Sequence, residues 1–413
     1  MQPATDSTTR PLLNLPVDYE SITSDRHLVD FVGEIASAPI VAFDTEFVSE
    51  DSYLPELCLV QVAAGGKLAV IDPYEVDDLT PFWNLLAEPG RETLVHAGRE
   101  EFRFCRRAIG KRPSAWFDVQ LAAGMIGMEY PASYGTLVGK LLNKSLSKDE
   151  TRTDWRRRPL SDPQLKYALQ DVCDLEAIRT KLVNKLDKLG RREWLETELA
   201  LWQDEVEAFE SSERWRRIPG LSGMSPKVLA IVRELWHWRD GEAQRRNQPP
   251  RRILRDDLLV ELAKRQTGDV KRIRQVRGME RGELQKHLNP LADRIDKALA
   301  LPSEEWPKAE PRQSRPQFNL LSQFLSAALG SICRSADVAS SLVGTAQDVR
   351  DLVAFRMDAT SFPPDAPPIL AQGWRAEVVG RVIEDLLHGK LSIAITDPVA
   401  DEPLSFETRQ PGN

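Results

Sequence analysis

The segment VAFDTEFVSEDSYLPELCLVQVA (residues 41–63) combines two apolar runs with two acids that stand one residue apart. Short apolar runs bounded by polar residues are typical of buried strands. Because side chains alternate along a strand, Asp44 and Glu46 are expected to project from the same face. Two carboxylates on a buried face repel each other and lose solvation, so they need a compensating cation. A solvent-facing strand end is the alternative, and the segment alone leaves both open.

Similar strand-like segments precede and follow this one. PIVAFDTEF, LCLVQVA, KLAVIDP and ETLVHAG alternate with helical patterns over 25–117, which predicts a mixed sheet covered by helices. Beyond this range helical signals dominate. LSDPQLKYALQDVCDLEAIRTKLVNKLDKLG is predicted to form one helix that ends at Gly190. Its start is marked by Ser161 and Gln164 as a capping box, with Pro163 in the first turn.

Length and charge divide the chain further. With 413 residues, two or three domains are expected. The net charge of -8 excludes a wholly basic, histone-like binder, yet residues 224–300 hold 18 Lys plus Arg against 11 Asp plus Glu, a local charge of +7. The predicted units are a lead-in (1–24), an α/β domain (25–210), a helical unit (220–300), a Pro-rich linker (301–316) and a second helical domain with a tail (317–413).

The sequence also indicates the compartment. The first residues lack a basic stretch followed by an apolar one, and no apolar run is long enough to cross a bilayer. The cysteines are scattered without the paired spacing of a zinc site, so we expect reduced core residues and a cytoplasmic protein without a membrane partner. These cysteines are Cys58, Cys105, Cys173 and Cys333.

Two later stretches add polar residues to the acid pair. Tyr167 and Asp171 are four residues apart on the predicted helix and therefore share one face. In LVHAGREEF a strand runs into a helix whose first turn carries Glu100 and Glu101. Acids at this position also stabilise the helix dipole, which is a purely structural alternative.

Two other polar residues near these acids have simpler expectations. His96 ends the strand before that helix and is expected to be packed and hydrogen-bonded rather than to act at a site. Asp118 in FDVQ is expected to cap the next helix rather than to bind a metal.

Taken together, these stretches resemble the motifs of the ribonuclease D family, which belongs to the DEDD superfamily of 3'-5' exonucleases, in the subgroup with tyrosine in the third motif. VAFDTEFVSEDSYLPELCLVQVA resembles the first motif, LVHAGREEF the second, and SLSKDETRTDWRRRPLSDPQLKYALQDVCDL the third with its lead-in. The basic segment from LWHWRDGEAQRR to VRGM is similar to the HRDC domain that RecQ-type helicases share with ribonuclease D. The resemblance covers roughly residues 25–300 in family order and spacing.

The resemblance implies a fold, a chemistry and a substrate. The fold would be an α/β exonuclease domain with an RNase H-like mixed sheet, followed by an all-α HRDC domain and a mostly helical C-terminal region. Asp44, Glu46 and Asp171 would coordinate two divalent ions, Mg²⁺ or Mn²⁺, and Tyr167 would orient the attacking water or help to deprotonate it. The activity would be 3'-5' exoribonuclease trimming of tRNA and other stable RNA precursors, with release of nucleoside 5'-monophosphates. A single-strand DNA exonuclease and a catalytically weakened nucleic-acid-binding protein remain alternatives.

One position departs from the family pattern. The second motif of the family ends in aspartate. When Phe102 is aligned with the apolar residue of the family motif, Glu101 falls at the aspartate position. An added methylene displaces the carboxylate by about 1.5 Å, and Mg²⁺ tolerates little distortion of its octahedral geometry. Glu101 is expected to serve as a ligand after a small backbone shift. In one alternative, Glu100 takes this place through a different alignment. In the other, the site is weakened or inactive.

Two basic clusters are candidates for nucleic-acid binding. In TRTDWRRRP, Arg152 and Arg156 would hold a phosphate backbone while Trp155 stacks on a base. In the basic helical unit, Arg251 and Arg252 would contact phosphates without reading sequence. A merely solvated basic surface is the alternative for both clusters.

Overall fold

A seven-stranded mixed sheet forms the centre of the first half of the chain. The computed structural model describes residues 9–10, 18–146, 153–280, 282–308, 316–357, 362, 366–399 and 403–409. The strands are β1 (Thr9–Arg10), β2 (Tyr19–Ile22), β3 (Ile40–Val48), β4 (Glu56–Ala64), β5 (Lys67–Ile71), β6 (Glu92–Val95) and β7 (Trp116–Asp118). Their order in the sheet is β1-β2-β5-β4-β3-β6-β7.

Strand β3 occupies the middle of this sheet and is paired unequally on its two edges. It runs antiparallel to β4 along almost its whole length, whereas its parallel pairing with β6 ends at Ala42 opposite Leu94. Val41, Ala42 and Phe43 are all buried, so both faces of the strand are covered in this part. Beyond Phe43 one edge of β3 therefore has no strand partner and is open to the helix that follows β6.

Helices pack against the sheet and continue from it. Seven of them follow one another around the strands: α1 (Asp25–Ile35), α2 (Thr80–Ala87), α3 (Arg99–Ile109), α4 (Val119–Gly124), α5 (Tyr134–Leu142), α6 (Asp162–Cys173) and α7 (Leu175–Leu189). The long helix α8 (Arg192–Ser211) leads away to a 3₁₀ turn (Arg214–Arg217).

The single helix predicted from Ser161 to Gly190 is wrong in one respect, because it is divided into α6 and α7 at Asp174. The Asp174 N–H donates to the Tyr134 hydroxyl oxygen at 3.2 Å, and its carboxylate pairs with Lys144 at 2.6 Å. These contacts from a neighbouring part of the chain stabilise the break. Both predicted ends are confirmed: Ser161 and Gln164 form a capping box, and Gly190 ends α7 in the left-handed conformation.

A second buried cluster belongs to the basic segment. Its helices are α9 (Pro226–Arg246), α10 (Pro250–Ile253), α11 (Asp256–Arg265), α12 (Val270–Arg274), α13 (Gly282–Gln285) and α14 (Leu288–Leu299). Val228, Ile231 and Leu235 recur on one side of α9 and are buried in this cluster, which is separate from the core under the sheet.

The C-terminal helices share the core of the sheet domain. After a 3₁₀ turn (Ser303–Glu305) come α15 (Pro316–Ser335), α16 (Ser340–Val343), α17 (Ala346–Met357), a 3₁₀ turn (Ile369–Ala371), α18 (Gly373–Arg375), a π-helical turn (Ala376–Gly380), α19 (Arg381–Leu387) and the hairpin β8 (Leu391–Ile395) with β9 (Leu404–Thr408). The buried Arg375 guanidinium pairs with Glu198 of α8 at 2.6 and 2.7 Å, and Trp374 stacks on Trp194 at 5.6 Å.

These observations bear on the sequence-based architecture. The fold class is confirmed as a mixed sheet with helices, followed by a helical unit and a mostly helical C-terminal region. The four cysteines are free, as expected. The boundaries of the units stay a prediction, since residues buried around the sheet and residues of 325–383 belong to one continuous core.

Gly98 at the start of α3 allows a specific stability prediction. A Cβ placed there would lie 2.7 Å from the Trp116 ring and even closer to the Val95 side chain, so Gly98→Ala is expected to lower the free energy of unfolding by about 2–3 kcal/mol. Gly33→Ala on α1 is the matched control, because an added methyl group there would have no neighbour within 4 Å and alanine favours helix by up to about 1 kcal/mol. Urea denaturation of both variants tests this, and equal stabilities would contradict it.

Candidate active site

Strand β3 presents the first two acids. Asp44 faces Gln61 of β4 and Glu46 faces Leu59, and the register shifts directly after Glu46. Both carboxylates are half-buried, whereas Thr45 between them is buried from the other side. The two acids therefore lie together at the end of the strand, as the alternation predicts.

The turn between β6 and α3 brings in the third acid. Ala97 has a positive φ of 55°, and the N–H groups of Ala97 and Gly98 donate to the Asp118 carboxylate at 3.1 Å each. This turn points the first residues of α3 at the open edge of β3. Glu101 is consequently buried, and its carboxylate accepts a 2.5 Å hydrogen bond from the Thr45 hydroxyl.

The two simpler expectations for this region are confirmed. Asp118 caps α4 by accepting hydrogen bonds from the N–H groups of Gln120 and Leu121. Its additional role in holding the turn before α3 was not predicted. His96 is packed edge-on against Tyr134, and its Nε2 lies 2.9 Å from the Ala132 carbonyl oxygen, which makes it a structural residue.

Helix α6 contributes the fourth acid and the tyrosine. Its capping box is tied to the preceding segment, because the Gln164 side-chain amide donates to the Thr153 hydroxyl at 2.9 Å. The helix packs against β3 and β4, and Tyr167 and Asp171 lie half-buried on the side that faces the acids of β3. Sequence reasoning thus identified all four carboxylates and the tyrosine of this cluster.

The pKa values of all four carboxyl groups are raised, by burial and in three of them also by neighbouring acids. Burial, followed by repulsion from Asp171, raises the pKa of Asp44 to about 8. Burial, with repulsion from the neighbouring acids, raises the pKa of Glu46 to about 9. Burial and then Asp44 raise the pKa of Glu101 to about 8, although the Thr45 hydrogen bond opposes this. Burial alone raises the pKa of Asp171 to about 7.

The tyrosine responds in the same direction. Burial, and then the negative charges of Asp171, Glu46 and Asp44, raise the pKa of the Tyr167 phenol above its ordinary value. Tyr167 therefore keeps its proton at neutral pH and can donate a hydrogen bond. A protonated phenol favours a positioning role over that of a general base.

The carboxylates suit a hard divalent cation. All four are oxygen ligands of the type that Mg²⁺ and Mn²⁺ prefer, and their crowding is relieved by positive charge. Within the described residues, no three or more His, Cys, Asp or Glu side chains are grouped so that they could hold a metal ion. Repulsion from neighbouring acids nevertheless contributes to the raised pKa values of Asp44, Glu46 and Glu101. Mg²⁺ is usually bound by one or two carboxylates together with waters and substrate phosphates, so it does not need a complete set of protein ligands.

The predicted nucleic-acid contacts near α6 are less simple. Arg152 lies outside the described residues. Trp155 is only 7% exposed and lies against Tyr167 with ring centroids 6.2 Å apart, so the predicted stacking on a base does not fit its buried position. Arg156 is exposed and pairs with Asp154 at 3.1 Å and with Asp51 at 3.3 Å.

The arginines of the helical unit are also paired. Arg251 is highly exposed and contacts Asp256 at 2.9 Å, and Arg252 pairs with Asp51. Exposed ion pairs contribute little stability, so both arginines can exchange a carboxylate for a phosphate. Their role in RNA binding stays a prediction.

Several contacts in and around the candidate site were not visible in the sequence. Thr45 lies between the two acids in the sequence and therefore points to the opposite side of β3. Its hydroxyl could have been predicted to bind a polar group there, which in the structure is the Glu101 carboxylate. Loop 49–55 contacts the helical unit, because the Tyr53 hydroxyl donates to Asp240 at 3.0 Å and the Tyr53 N–H donates to Asn247 at 3.2 Å. Only the fold brings these residues together.

Comparison with known proteins places this site in a family. A family model described as 3'-5' exonuclease matches residues 19–187, and the HRDC domain model matches residues 228–295. A ribonuclease D of Gluconacetobacter diazotrophicus is 33% identical over 91% of this chain and 94% of its own. A ribonuclease D of Sphingobium indicum is 34% identical over 91% of this chain and 96% of its own. The chain belongs to the ribonuclease D family.

Solved structures agree with this assignment. The crystal structure of Escherichia coli RNase D, described as an exoribonuclease involved in structured RNA processing, superimposes with a TM-score of 0.80 at 25% identity and covers 90% of this chain and 99% of its own. This member of the ribonuclease D family is therefore a 3'-5' exoribonuclease with an HRDC domain. No helix in its described parts is both long and apolar enough to span a membrane.

The raised pKa values predict how stability depends on pH in this ribonuclease D. The folded protein holds protons on Asp44, Glu46, Glu101 and Asp171 that the unfolded chain releases near pH 4, so the contribution of these four acids to stability is fully present below that pH. It should fall as pH rises towards 7–9, by about 1.4 kcal/mol per pH unit for each extra proton held.

Urea denaturation in EDTA between pH 5 and 9 measures this slope. Asp44→Asn should flatten it, whereas Asp30→Asn on an exposed position of α1 should not. Mg²⁺ should restore stability at high pH, because it binds the deprotonated carboxylates. If the unfolding free energy of the wild type changes with pH as that of Asp44→Asn does, the raised pKa values of these acids do not contribute to stability, and the prediction is wrong.

Proposed function

We propose that this chain hydrolyses RNA from its 3' end in a metal-dependent reaction and releases one nucleoside 5'-monophosphate at a time. The observation that carries the proposal is the convergence of Asp44, Glu46, Glu101 and Asp171 from three separate elements, with the pKa of every one of them raised. Such crowding destabilises the metal-free fold, and it is expected where a site is built to bind cations and a polyanion.

These four carboxylates would hold two divalent ions, Mg²⁺ or Mn²⁺. When bound, the ions would lower the pKa of water and stabilise charge on the attacking and leaving oxygens of an in-line phosphoryl displacement. The carboxylates themselves would orient the ions and set the negative charge that the substrate phosphate meets.

Tyr167 would position the attacking water. Because its phenol keeps its proton, it can donate a hydrogen bond to the water or to a phosphate oxygen at the scissile bond. Water attacks phosphorus, the bond from phosphorus to the 3' oxygen breaks, and the proton lost by water is balanced by the one gained by the leaving 3' oxygen. The products are a nucleoside 5'-monophosphate and an RNA shortened by one nucleotide with a new 3'-hydroxyl.

Glu101 is supported as the acid of the second motif. It is buried beside β3 and its charge influences Glu46, whereas Glu100 pairs with Arg103 on the side of α3 that faces away from β3. The Thr45 hydroxyl holds the Glu101 carboxylate, which offsets the freedom of its longer side chain. A weakened site remains the alternative, since this hydrogen bond also competes with a metal ion for the carboxylate.

The proposed substrates are the 3' ends of structured RNAs, with tRNA precursors as the leading case. The E. coli relative is described as acting in structured RNA processing, and an HRDC domain accompanies the nuclease domain here as well. A single-strand DNA exonuclease is the second candidate, because the same groups would cleave either backbone.

Substitutions at the cluster test the proposal. With 5'-labelled single-stranded RNA in Mg²⁺ or Mn²⁺, the wild type should produce a ladder of stepwise shorter products. Asp171→Asn should abolish it, and Tyr167→Phe should lower kcat by about 10²–10³-fold with little change in KM, because a positioning hydrogen bond is lost. Glu101→Gln should inactivate, Glu101→Asp should retain or increase activity, and Glu100→Gln is the matched control that should behave as wild type.

The same assay distinguishes the alternatives. Equal shortening of DNA and RNA would favour the DNA exonuclease. Binding of RNA without shortening, unchanged in Glu101→Asp, would support a nucleic-acid-binding protein and contradict the proposal.

A further inference from the structure

A basic cleft lies on the far side of α3 from the carboxylate cluster. It has a volume of about 650 Å³ and is bounded by α3, the end of α8, the 3₁₀ turn 214–217 and the loop at Tyr53. Among the described residues that line it, Glu210 is the sole acid. Five arginines line it, here called the arginine cleft: Arg99, Arg103, Arg107, Arg214 and Arg217.

Phe209 organises these arginines. The guanidinium carbons of Arg99 and Arg103 from α3 lie 5.5 and 5.3 Å from the centre of its ring. Those of Arg214 and Arg217 from the 3₁₀ turn lie 5.3 and 4.2 Å away. A cation stacked on an aromatic face is stabilised without using its N–H donors. The ring therefore gathers positive charge from two distant segments without itself using their N–H donors.

The arginine cleft has an excess of positive charge that neighbouring surfaces lack. On the adjacent side of α8, Arg112 is neutralised by Asp204 and Glu207 at 2.7 Å, and Arg106 also contacts Glu207 at 2.8 Å. Within the cleft, Glu210 pairs with two arginines, Arg107 at 2.6 Å and Arg103 at 3.5 Å, and Arg103 also pairs with Glu100.

The remaining three arginines lack such a partner. Among the described residues, Arg99, Arg214 and Arg217 make no ion pair with a carboxylate. Holding like charges together without counter-ions is unfavourable, and a bound anion with several oxygens would relieve it.

The arginine cleft is close to the catalytic cluster but separate from it. Arg99 and Arg103 are each two residues from Glu101 on α3, hence about 160° around the helix from it. A helix is about 10 Å wide, so a few nucleotides can reach from one face to the other around its first turn. The loop that carries Tyr53 follows β3 directly and forms a second wall beside this path.

We propose that the arginine cleft is an exosite that binds the phosphate backbone of the RNA several nucleotides upstream of its 3' end. This inference rests on the proposed function, since it takes RNA as the substrate of the carboxylate cluster. Its donors are stacked guanidinium groups that contact phosphates and read no bases, so binding is independent of sequence. The cleft holds the body of the substrate while successive 3' nucleotides enter the site.

The double variant Arg99→Ala/Arg217→Ala tests the exosite in the full chain. Affinity for a single-stranded RNA of about 20 nucleotides, measured by fluorescence anisotropy in EDTA, should fall about tenfold or more. The dependence of log affinity on log salt should become shallower by about 0.7 for each phosphate that the variant no longer neutralises. Lys188→Ala/Arg192→Ala removes the same charge at the junction of α7 and α8, away from the cleft, and should leave both quantities unchanged.

Hydrolysis supplies the second measurement. KM for the long RNA should rise by a similar factor in Arg99→Ala/Arg217→Ala, while kcat/KM for a dinucleotide, which is too short to reach the cleft, should stay at the wild-type value. Unchanged affinity for the long RNA would overturn the exosite, as would an equal loss on both substrates. If the wild type binds but hydrolyses nothing, the proposed function fails, and the anisotropy measurement still decides the exosite.

A small phosphate ligand is distinguished by competition. Adenosine 5'-monophosphate at millimolar concentration should not displace the long RNA from the wild type in EDTA. Full displacement, with adenosine 5'-monophosphate binding abolished in the double variant, would show a site for free nucleotides and overturn the proposal.

Discussion

The repulsion between carboxylates that are gathered into a half-buried site constrains the rest of the sheet domain. Asp44, Glu46, Glu101 and Asp171 would separate in an unfolded chain, and the folded protein holds them together although burial penalises their charged forms. That cost has to be offset by the packing of β3 between β4 and the helices. Divalent cations bound at these acids would therefore stabilise the fold, because the unfolded chain does not hold the four carboxylates together.

Several interactions hold the acids against this repulsion, and few of them involve the acids themselves. Asp118 fixes the turn before α3 through two N–H groups, and the absence of a side chain at Gly98 lets this turn approach Val95 and Trp116. Arg158 anchors the lead-in to α6 through Asp72 and the Cys58 carbonyl oxygen at 2.7 Å each. A site made of like charges therefore depends on a rigid second layer, in which each residue is positioned by the backbone of another element.

Sequence reasoning predicted what local patterns determine and missed what only the fold brings together. Alternation identified the shared face of Asp44 and Glu46, and the capping box identified the start of α6, because both depend on neighbours in the chain. The break at Asp174 and the burial of Trp155 depend on Tyr134 and Tyr167, which approach from other segments. Resemblance supplied the residues of the site, but the contact between Glu101 and Thr45 needed the open edge that β3 acquires where β6 ends.

The distribution of charge explains how an acidic chain can handle a polyanion. The net charge of -8 repels RNA at long range, so attraction has to come from local surfaces where arginines outnumber acids. Several basic residues of the HRDC region are already paired, for instance Arg239 with Asp256 and Arg252 with Asp51. The latter pair joins the HRDC region to the loop that follows β3. The HRDC region thus contacts the loop next to the candidate active site, and the arginines gathered around Phe209 lie beside the same loop. The 3₁₀ turn that carries Arg214 and Arg217 precedes the HRDC helices and lies beside the loop at Tyr53. RNA bound in the arginine cleft would therefore favour contact between this loop and the HRDC region.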